Sequence, residues 1–498
     1  MRGFKNSILV VVSAFLLLST TAAESANKRL INHDETLNRY VIHYPVKHPK
    51  NARGIMKWLT RNRFDVAGVN WRKGTIEVIT NDEGVRVIEK ALRKREIRGK
   101  IVEKQGGGFQ REDAIDQRYL NPERLTGRLK ALNEEFPEIT RLEQIGKSNE
   151  GRPIWALLVS STPKASDPKA LAKPSILFDG MHHAREIMTP EIVLDVAESL
   201  LRGVVAQNRR AEQLLTRWNV WVVPMLNVDG NHIVWTKNNW WRKNARSEGN
   251  KVFGVDINRN YPYRWGDCNG SSSMKSSDTY RGESASSEPE TQALINLAMK
   301  IRPAASLSYH SYGELILYPF SCEGDLTGEN ELLKRVAGEL SERLPSDRGQ
   351  GNYTTGTSWQ ILYAVDGASK DFMFAAFGAL AYTFEVNQAF QPPYELRNPT
   401  LKKHRVAWKY FLDRIDRNLL KLNVVDGTTG ESVLAQLSIS TIAHKKGERP
   451  FETNKAGYFF KVLDPGTYTI TARLEDGRSG KLSVEMLGSP KEATLTVQ

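Results

Sequence analysis

Apolar strands that alternate with helical stretches between residues 115 and 420 restrict the fold of this chain more than any other feature. The clearest strands are Pro174–Asp179, Val220–Pro224 and Leu380–Phe384, and the clearest helices are Leu125–Glu135, Glu191–Leu201 and Glu288–Ile301. Strands in such an order are joined by crossing helices that cover a mostly parallel sheet. The sequence therefore predicts an α/β domain over residues 112–420, with a mixed, largely parallel sheet and helices on both faces.

The residues before this domain predict a leader and a smaller α/β unit. Met1–Ala26 has basic residues followed by an apolar run too short to span a bilayer, which is typical of a signal peptide. Residues 27–111 alternate in the order βαβ-βαβ, which suggests a ferredoxin-like sandwich. They end in the linker Gly106–Gly108 between Lys104 and Arg111, which we expect to be exposed to proteases. That layout is typical of a zymogen, and a permanent accessory domain is the alternative.

The pattern changes again after residue 420. The turn-forming pairs Asp426-Gly and Asp476-Gly punctuate short strands such as Tyr458–Val462 and Tyr468–Ala472. Short strands separated by such turns are typical of a small all-β fold. We therefore predict an appended β-sandwich over residues 421–498, and its sequence suggests no chemistry.

Charge and cysteine content indicate the compartment. The formal net charge is +13, but no RNA-binding motif or zinc-finger spacing accompanies the short basic runs near Lys90 and Lys402. We therefore expect no nucleic-acid partner. No segment after the leader is apolar enough to span a membrane, so the sequence predicts an exported protein, secreted or periplasmic. Cys268 and Cys322 would form a disulfide in an oxidising compartment, with two free buried thiols as the alternative.

A candidate metal motif follows the strand Pro174–Asp179. His183 and Glu186 are three positions apart in a turn, so an imidazole and a carboxylate can share an ion. A catalytic zinc needs three protein ligands and an open position, and His310 at the end of another apolar strand supplies a third. Functional residues of such sheets lie beyond the carboxyl ends of the strands. His182 could replace His183 as a ligand on this evidence alone.

Further motifs occur in a fixed order along the domain. They are Glu150–Ile154, His183–Glu186, Trp241–Lys243, Asp256–Asn260, His310–Tyr312, Leu317–Pro319, Tyr363 and Phe384-Glu385. In this order they resemble the zinc carboxypeptidases of the pancreatic carboxypeptidase A type, and among these the secreted bacterial members most closely. The resemblance implies the carboxypeptidase fold, one zinc ion per chain and a metallocarboxypeptidase activity.

The resemblance also implies roles for matched residues. His183, Glu186 and His310 would bind zinc, which leaves His182 a supporting role. Glu385 would be the general base that takes a proton from the water on the zinc, since a carboxylate near that water can accept and relay its proton. Arg242 would polarise the scissile carbonyl and stabilise the oxyanion, a contribution of about 3–4 kcal/mol for a preorganised cation.

An exopeptidase must also recognise a free carboxylate. Arg259 has the planar fork for this task, and Asn258 can donate a further hydrogen bond. By resemblance Tyr363 would close over the substrate terminus, while Arg185 and Tyr312 would line the neighbouring subsite. The expected partners are peptide or protein C-termini, the chain's own pro-segment as inhibitor and an activating protease. We expect a monomer.

Lys370 falls at the position that resembles the base of the family's side-chain pocket. A lysine there predicts a preference for C-terminal Glu or Asp. Two alternatives remain open: Asp366, four residues earlier, could pair with Lys370 and favour basic C-termini, or Lys370 could extend outward and leave an apolar pocket.

The regions outside the catalytic domain resemble the family more loosely. Residues 27–105 are similar in layout to a pro-segment, and the C-terminal unit looks like the transthyretin-like sandwich of some carboxypeptidases. The loop Trp265–Ser271 resembles that of bacterial members, so no disulfide pairing is transferred from the animal enzymes. Two other functions remain possible: a peptidase acting on γ-glutamyl or diamino-acid bonds of cell-wall peptides, and a catalytically silent binding protein.

Overall fold

A computed structural model describes residues 39–46, 49–62, 64–70, 74–93, 97–105, 115–164, 170–347, 349, 351–445 and 447–498. The predicted signal peptide and the linker Gly106–Gly108 lie outside these residues. The chain divides into two compact units, one of residues up to Asp113 together with Met274–Tyr280, and one of the remainder. Within the described ranges, no helix has the length and apolar character needed to cross a bilayer.

The first unit contains a four-stranded antiparallel sheet in the order β2-β3-β1-β4. Its elements are β1 (Arg39–Pro45), α1 (Pro49–Arg61), β2 (Asp65–Asn70), β3 (Thr75–Asn81), α2 (Asp82–Arg93) and β4 (Lys100–Gln105). The order βαβ-βαβ includes this second strand, but the sequence did not locate β2, because a register shift between Val66 and Gly68 interrupts its alternation. The function of this unit as a pro-segment stays a prediction.

The second unit begins with the predicted α/β domain. Its strands are β5 (Thr140–Lys147), β6 (Pro153–Val159), β7 (Ser175–Gly180), β8 (Asn219–Val223), β9 (Ser247–Glu248), β10 (Lys251–Val252), β11 (Ala305–Ser311), β12 (Leu315–Tyr318), β13 (Thr354–Thr357) and β14 (Leu380–Val386). Its α-helices are α3 (Pro122–Glu135), α4 (Thr189–Val205), α5 (Arg209–Arg217), α6 (Val228–Thr236), α7 (Pro289–Ile301), α8 (Asn330–Ser341), α9 (Ser358–Ile361), α10 (Ser369–Phe377) and α11 (Arg397–Arg417).

Eight of these strands form one mixed sheet in the order β13-β12-β14-β11-β7-β8-β6-β5. The central strands β14, β11, β7 and β8 are parallel to one another. Towards the edges, β12 pairs antiparallel with β14, β6 with β8, and β5 with β6. Strands β7 and β11 are buried along their whole length, as expected of central strands of a sheet that is covered on both faces. The mixed sheet with helices is confirmed, and it brings the carboxyl ends of β7, β11 and β14 together at one edge.

The chain then continues from α11 into an all-β region. Its strands are β15 (Leu419–Asp426), β16 (Gln436–Ile439), β17 (Phe451–Glu452), β18 (Tyr458–Val462), β19 (Gly466–Arg473), β20 (Ser479–Met486) and β21 (Lys491–Val497). They form a sheet β18-β15-β21 and a sheet β17-β16-β19-β20, whose buried side chains share one apolar cluster. We call residues 419–498 the C-terminal sandwich. Its relation to transthyretin stays a prediction.

Candidate metal centre and peptide-binding site

The predicted metal ligands meet at the carboxyl ends of adjacent parallel strands. His183 lies in the turn just after β7, and His310 is near the end of β11. Glu385, near the end of β14, is the direct neighbour of His310 in the sheet register. Residues that are 127 positions apart in the sequence, such as His183 and His310, are therefore in contact.

Three ligand atoms converge at this point. Glu186 Oε1 lies 2.6 Å from His183 Nδ1, Glu186 Oε2 lies 3.2 Å from His310 Nδ1, and the two Nδ1 atoms are 3.2 Å apart. The ligand atoms of the three residues all lie within 4.8 Å of one another. Atoms that bind one tetrahedral zinc at bonds of about 2.0–2.1 Å are about 3.3 Å apart, so the spacing suits that ion.

The chemistry of this group also fits a cation. All three side chains are buried, and Glu186 Oε2 makes no hydrogen bond within the described part of the chain. Burial alone would raise the pKa of Glu186, but His183 and His310 hold it well below its usual range. Two histidines and a glutamate are a known ligand set for catalytic zinc, and carboxypeptidase A is itself one of the enzymes in which that set is known.

The turn that carries His183 and Glu186 is fixed by hydrogen bonds from two buried asparagines. Asn227 Nδ2 donates to the carbonyl of His182 at 3.0 Å, and Asn231 Nδ2 donates to the carbonyl of Ala184 at 3.0 Å. These bonds satisfy backbone groups that the turn leaves without partners, so the ligands are held before any ion binds.

Asp256 connects the metal group to the arginines, a function that the sequence did not reveal. Its Oδ1 lies 3.2 Å from His183 Nε2, and its Oδ2 accepts from Arg242 Nη2 at 2.9 Å. Arg259 Nη1 is 3.9 Å from the same Oδ2. Burial would raise the pKa of Asp256, but Arg242, Arg259 and His183 hold it well below its ordinary value. Metal-binding histidines commonly donate their second N–H to a carboxylate, so Asp256 fixes the orientation of His183.

Replacing Asp256 by asparagine should weaken zinc binding by a factor of about 10–100, because the partner of His183 Nε2 loses its charge. Competition with a chelator of known affinity measures this effect. Asp416→Asn is a matched control, since Asp416 is a buried aspartate bound by Trp218 and Arg217. Equal zinc affinity in Asp256→Asn and Asp416→Asn would contradict the function assigned to Asp256.

His182 lies next to the metal group but is not one of its three clustered ligands. Its Nε2 lies 2.9 Å from the hydroxyl of Tyr261, and its ring stacks on that of His310 with centroids 5.2 Å apart. Burial, followed by His310 and His183, lowers the pKa of His182 well below its ordinary value, which favours the neutral ring. The geometry therefore favours His183 over His182 as the ligand.

Asn258 and Arg259 are held on the short 3₁₀ turn Ile257–Arg259 next to the metal group. Asn258 Oδ1 accepts from the backbone N–H of Ser369 at 2.9 Å, and Arg259 Nε donates to the carbonyl of Gly270 at 3.1 Å. Gly270 belongs to the loop that is closed by a disulfide between Cys268 and Cys322, which confirms the predicted bridge. Both residues are therefore buried and oriented by neighbouring chain segments.

Lys370 has different partners from those considered in the sequence. Its Nζ donates to Ser321 Oγ, to Ser358 Oγ at 3.2 Å and to Asp371 Oδ1 at 3.1 Å. The proposed pairing with Asp366 is wrong, because that carboxylate accepts from the backbone N–H of Gly270 at 2.9 Å. Outward extension is also wrong, because Lys370 is only 3% exposed.

The electrostatic surroundings of Lys370 include the site. Burial lowers its pKa below the ordinary value, and Asp371 opposes that shift. Arg259 lowers the pKa of Lys370 further, and Glu385 raises it, so both are near enough to act on its charge. Lys370 therefore lies in the field of the residues assigned to substrate and catalysis.

Arg185 and Tyr312 both contact Phe390, which the sequence did not single out. The Arg185 guanidinium carbon lies 4.1 Å from the centre of the Phe390 ring, and the Tyr312 ring packs edge-on against it at 4.6 Å. Arg185 and Tyr312 thus contact one aromatic side chain, as a shared subsite requires. Tyr363 is half-buried in the loop between α9 and α10.

Glu385 keeps part of its surface exposed. Enclosure by protein raises its pKa well above the ordinary value, and Glu186 raises it further, whereas Arg242, Arg259 and Lys370 lower it. Glu385 thus lies in the electrostatic field of Glu186 and of three cationic side chains that are contributed by other segments of the domain.

Comparisons with known proteins agree with this fold. The sequence model of the family described as zinc carboxypeptidase matches residues 125–406. Carboxypeptidase O from Bos taurus is 33% identical over 259 residues, which are 51% of this chain and 66% of that protein, just under two thirds of its length. The structure of carboxypeptidase A from Helicoverpa armigera shares the fold with a TM-score of 0.64 at 22% identity, covering 76% of this chain and 97% of that one.

A third similar protein is bovine thrombin-activatable fibrinolysis inhibitor, solved in complex with tick carboxypeptidase inhibitor. It has a TM-score of 0.53 at 27% identity and covers 59% of this chain and 96% of that one. These relatives are animal proteins, so the expectation that the chain is closest to secreted bacterial members finds no support.

Fold and site together define an α/β protein with a His-Glu-His metal centre at the edge of its sheet. The match over more than half of its length shows that the chain belongs to the zinc carboxypeptidase family. That family uses one zinc ion, and His183, Glu186 and His310 are the residues of this chain that can hold it.

Proposed function

We propose that this protein is a zinc-dependent carboxypeptidase that hydrolyses the last peptide bond of peptides and proteins. The observation that carries the proposal is the position of Asp256, which contacts the candidate ligand His183 and Arg242 and lies 3.9 Å from Arg259. One carboxylate thus ties the metal group to an arginine suited to a carbonyl oxygen and to another suited to a terminal carboxylate.

The residues divide the reaction between them. Zinc, when bound, acts as a Lewis acid on the scissile carbonyl and lowers the pKa of water towards neutrality. Arg259 and Asn258 bind the free carboxylate of the substrate, which places its last peptide bond at the site. Glu385 accepts a proton from the attacking water and delivers it to the leaving amine nitrogen. Arg242, already oriented by Asp256, stabilises the negative charge that develops on the carbonyl oxygen.

Release of single amino acids from a peptide panel tests this proposal. Peptides ending in Glu, Lys, Phe and a C-terminal amide are incubated with the protein, both intact and after cleavage in the linker between Lys104 and Arg111, with and without a zinc chelator. We expect release from the free acids only, and none with the chelator. A protein that binds zinc but releases nothing from any peptide would instead support the silent binding protein.

We also infer that residues 27–111 act as a pro-segment and that the protein is exported. The sheet and helices of residues 39–105, which cluster in a different compact unit from most of the catalytic domain, support the first inference, because cleavage between Lys104 and Arg111 would cut the chain directly after them. The disulfide between Cys268 and Cys322 supports the second, since such bonds persist in oxidising compartments. An activating protease would then be the expected partner of the linker.

We propose in addition that Lys370 gives a preference for acidic C-terminal residues. Lys370→Met should lower kcat/KM for a Glu-ended peptide by about 10–100-fold, because the loss of a hydrogen bond to a charged group costs about 1.5–3 kcal/mol. The kcat/KM for a Phe-ended peptide should change much less. Lys300→Met, at an exposed ion pair with Glu143, is the control. The proposal fails if Lys370→Met retains the Glu-ended activity of the control.

A further inference from the structure

Helix α10 joins the substrate site to the C-terminal sandwich. It has nine residues, and its first turn carries Ser369, whose N–H binds Asn258, and Lys370. With a rise of 1.5 Å per residue, its last residue lies about 12 Å from its first. A displacement of the helix end would therefore be transmitted to the site by a short, rigid element.

The sandwich supplies hydrogen bonds to the end of this helix. The last carbonyls of a helix have no partner within the helix. Here the carbonyl of Ala375 accepts from the backbone N–H of Arg449 at 2.8 Å, and that of Gly378 accepts from Lys461 Nζ at 2.7 Å. Arg449 and Lys461 both belong to the sandwich, so it caps α10 from outside the catalytic domain.

Lys461 is held firmly in this position. Its side chain is 1% exposed, and its Nζ lies 2.6 Å from Glu329 Oε2, directly before α8. A buried ion pair keeps its geometry because either partner alone would be an uncompensated buried charge. The ammonium also lies at the negative end of the α10 dipole, where a cation is favoured.

The fit between the helix end and the sandwich leaves no space. Gly378 follows α10 with a φ of 65°, and a Cβ atom at this position would lie 2.4 Å from Cε1 of Phe451 in β17. A glycine is therefore required here both by the backbone and by the aromatic ring. The ring of Phe374, in the last turn of α10, packs near the Lys461 ammonium, with 5.9 Å between Nζ and the ring centre.

We propose that the C-terminal sandwich positions the substrate side-chain pocket, with Lys461 as its positioning residue. The sandwich fixes the end of α10, and α10 in turn fixes Ser369 and Lys370 relative to Asn258. The inference rests on the proposed carboxypeptidase function for its kinetic consequence, whereas the rigid contact can be tested without any substrate.

The test uses the full chain with the pair Lys461→Met and Glu329→Gln, which removes both charges and leaves no unpaired buried ion. Lys421→Met with Glu492→Gln, at an exposed ion pair of the same sandwich, is the matched control. Phe451→Leu is a second variant that loosens the contact with Gly378 without changing charge. Kinetics on Glu-ended, Phe-ended and Gly-ended peptides are combined with hydrogen exchange of residues 369–377.

We expect KM for the Glu-ended and Phe-ended peptides to rise about tenfold in the Lys461 and Phe451 variants. The kcat should change less than about threefold, and the Gly-ended peptide, which has no side chain to place, should be unaffected. Amides of α10 should exchange at least tenfold faster than in the control. Hydrogen exchange of the α10 amides that equals that of the control would overturn the inference. An equal rise in KM for the Glu-ended, Phe-ended and Gly-ended peptides would also overturn it. If the parent protein releases no amino acid, the proposed function fails and exchange alone decides the positioning.

Discussion

Replacement of Glu385 by glutamine is expected to lower kcat by about 10²–10⁴-fold while zinc content and KM stay close to those of the parent protein. A glutamine has the same shape but cannot accept a proton, and a positioned general base typically contributes a factor of this size. Glu385 lies beside His310 in the register of β14 and β11, so the substitution leaves the strand ends in place.

The control for this variant is another buried carboxylate in the same domain. Glu191 is 1% exposed, and it binds the backbone of Leu120 and the side chain of Arg397. Glu191→Gln should therefore keep kcat near the parent value. Zinc is measured by atomic absorption in both variants. A loss of zinc in Glu385→Gln in proportion to the loss of kcat would show that Glu385 supports the metal, and the assignment as general base would be wrong.

The fold was largely predictable because its central strands are buried on both faces. Such strands give uninterrupted apolar runs, and those predicted at Pro174–Asp179 and Leu380–Phe384 correspond to β7 and β14. The position of β2 was not predicted because its bulge removes the alternation that identifies a strand. The pairing order of the sheet depends on contacts between distant segments, and no local pattern encodes it.

The metal group was predictable for a related reason. His183 and Glu186 are close in sequence, and His310 ends a strand, so local patterns place all three at one sheet edge. Asp256 was not recognised, although it lies two residues before Asn258, because its contact with His183 spans 73 positions. Its position within a motif that already contained an arginine and an asparagine was the available signal.

Lys370 shows where spacing misleads. A lysine and an aspartate four residues apart pair when both lie on one helix, so the spacing left a pairing with Asp366 open as an alternative. However, α10 begins at Ser369, so Asp366 precedes the helix and points to the disulfide loop instead. The true partners include Asp371, the next residue, and Ser321, which is distant in sequence. Helix boundaries are thus needed before such pairs can be assigned.

Replacement of Arg242 by glutamine should lower kcat by about 10²–10³-fold, which corresponds to a loss of about 2.7–4 kcal/mol of transition-state stabilisation, with a small change in KM. Arg242 is buried and is held by Asp256 through its Nε and Nη2 atoms at 3.2 and 2.9 Å, so its charge is in place before the oxyanion forms. Arg405→Gln is the control, because Arg405 also donates to an aspartate, Asp195, through its Nε and Nη2 atoms. This pair does not belong to the metal group. Steady-state kinetics on a Phe-ended peptide, with zinc content measured in parallel, show whether Arg242 stabilises the transition state or only binds the substrate. A fall in kcat with full zinc content requires that Arg242 acts on the reacting carbonyl, whereas a rise in KM alone would mean that it binds the ground state equally well and does not stabilise the transition state.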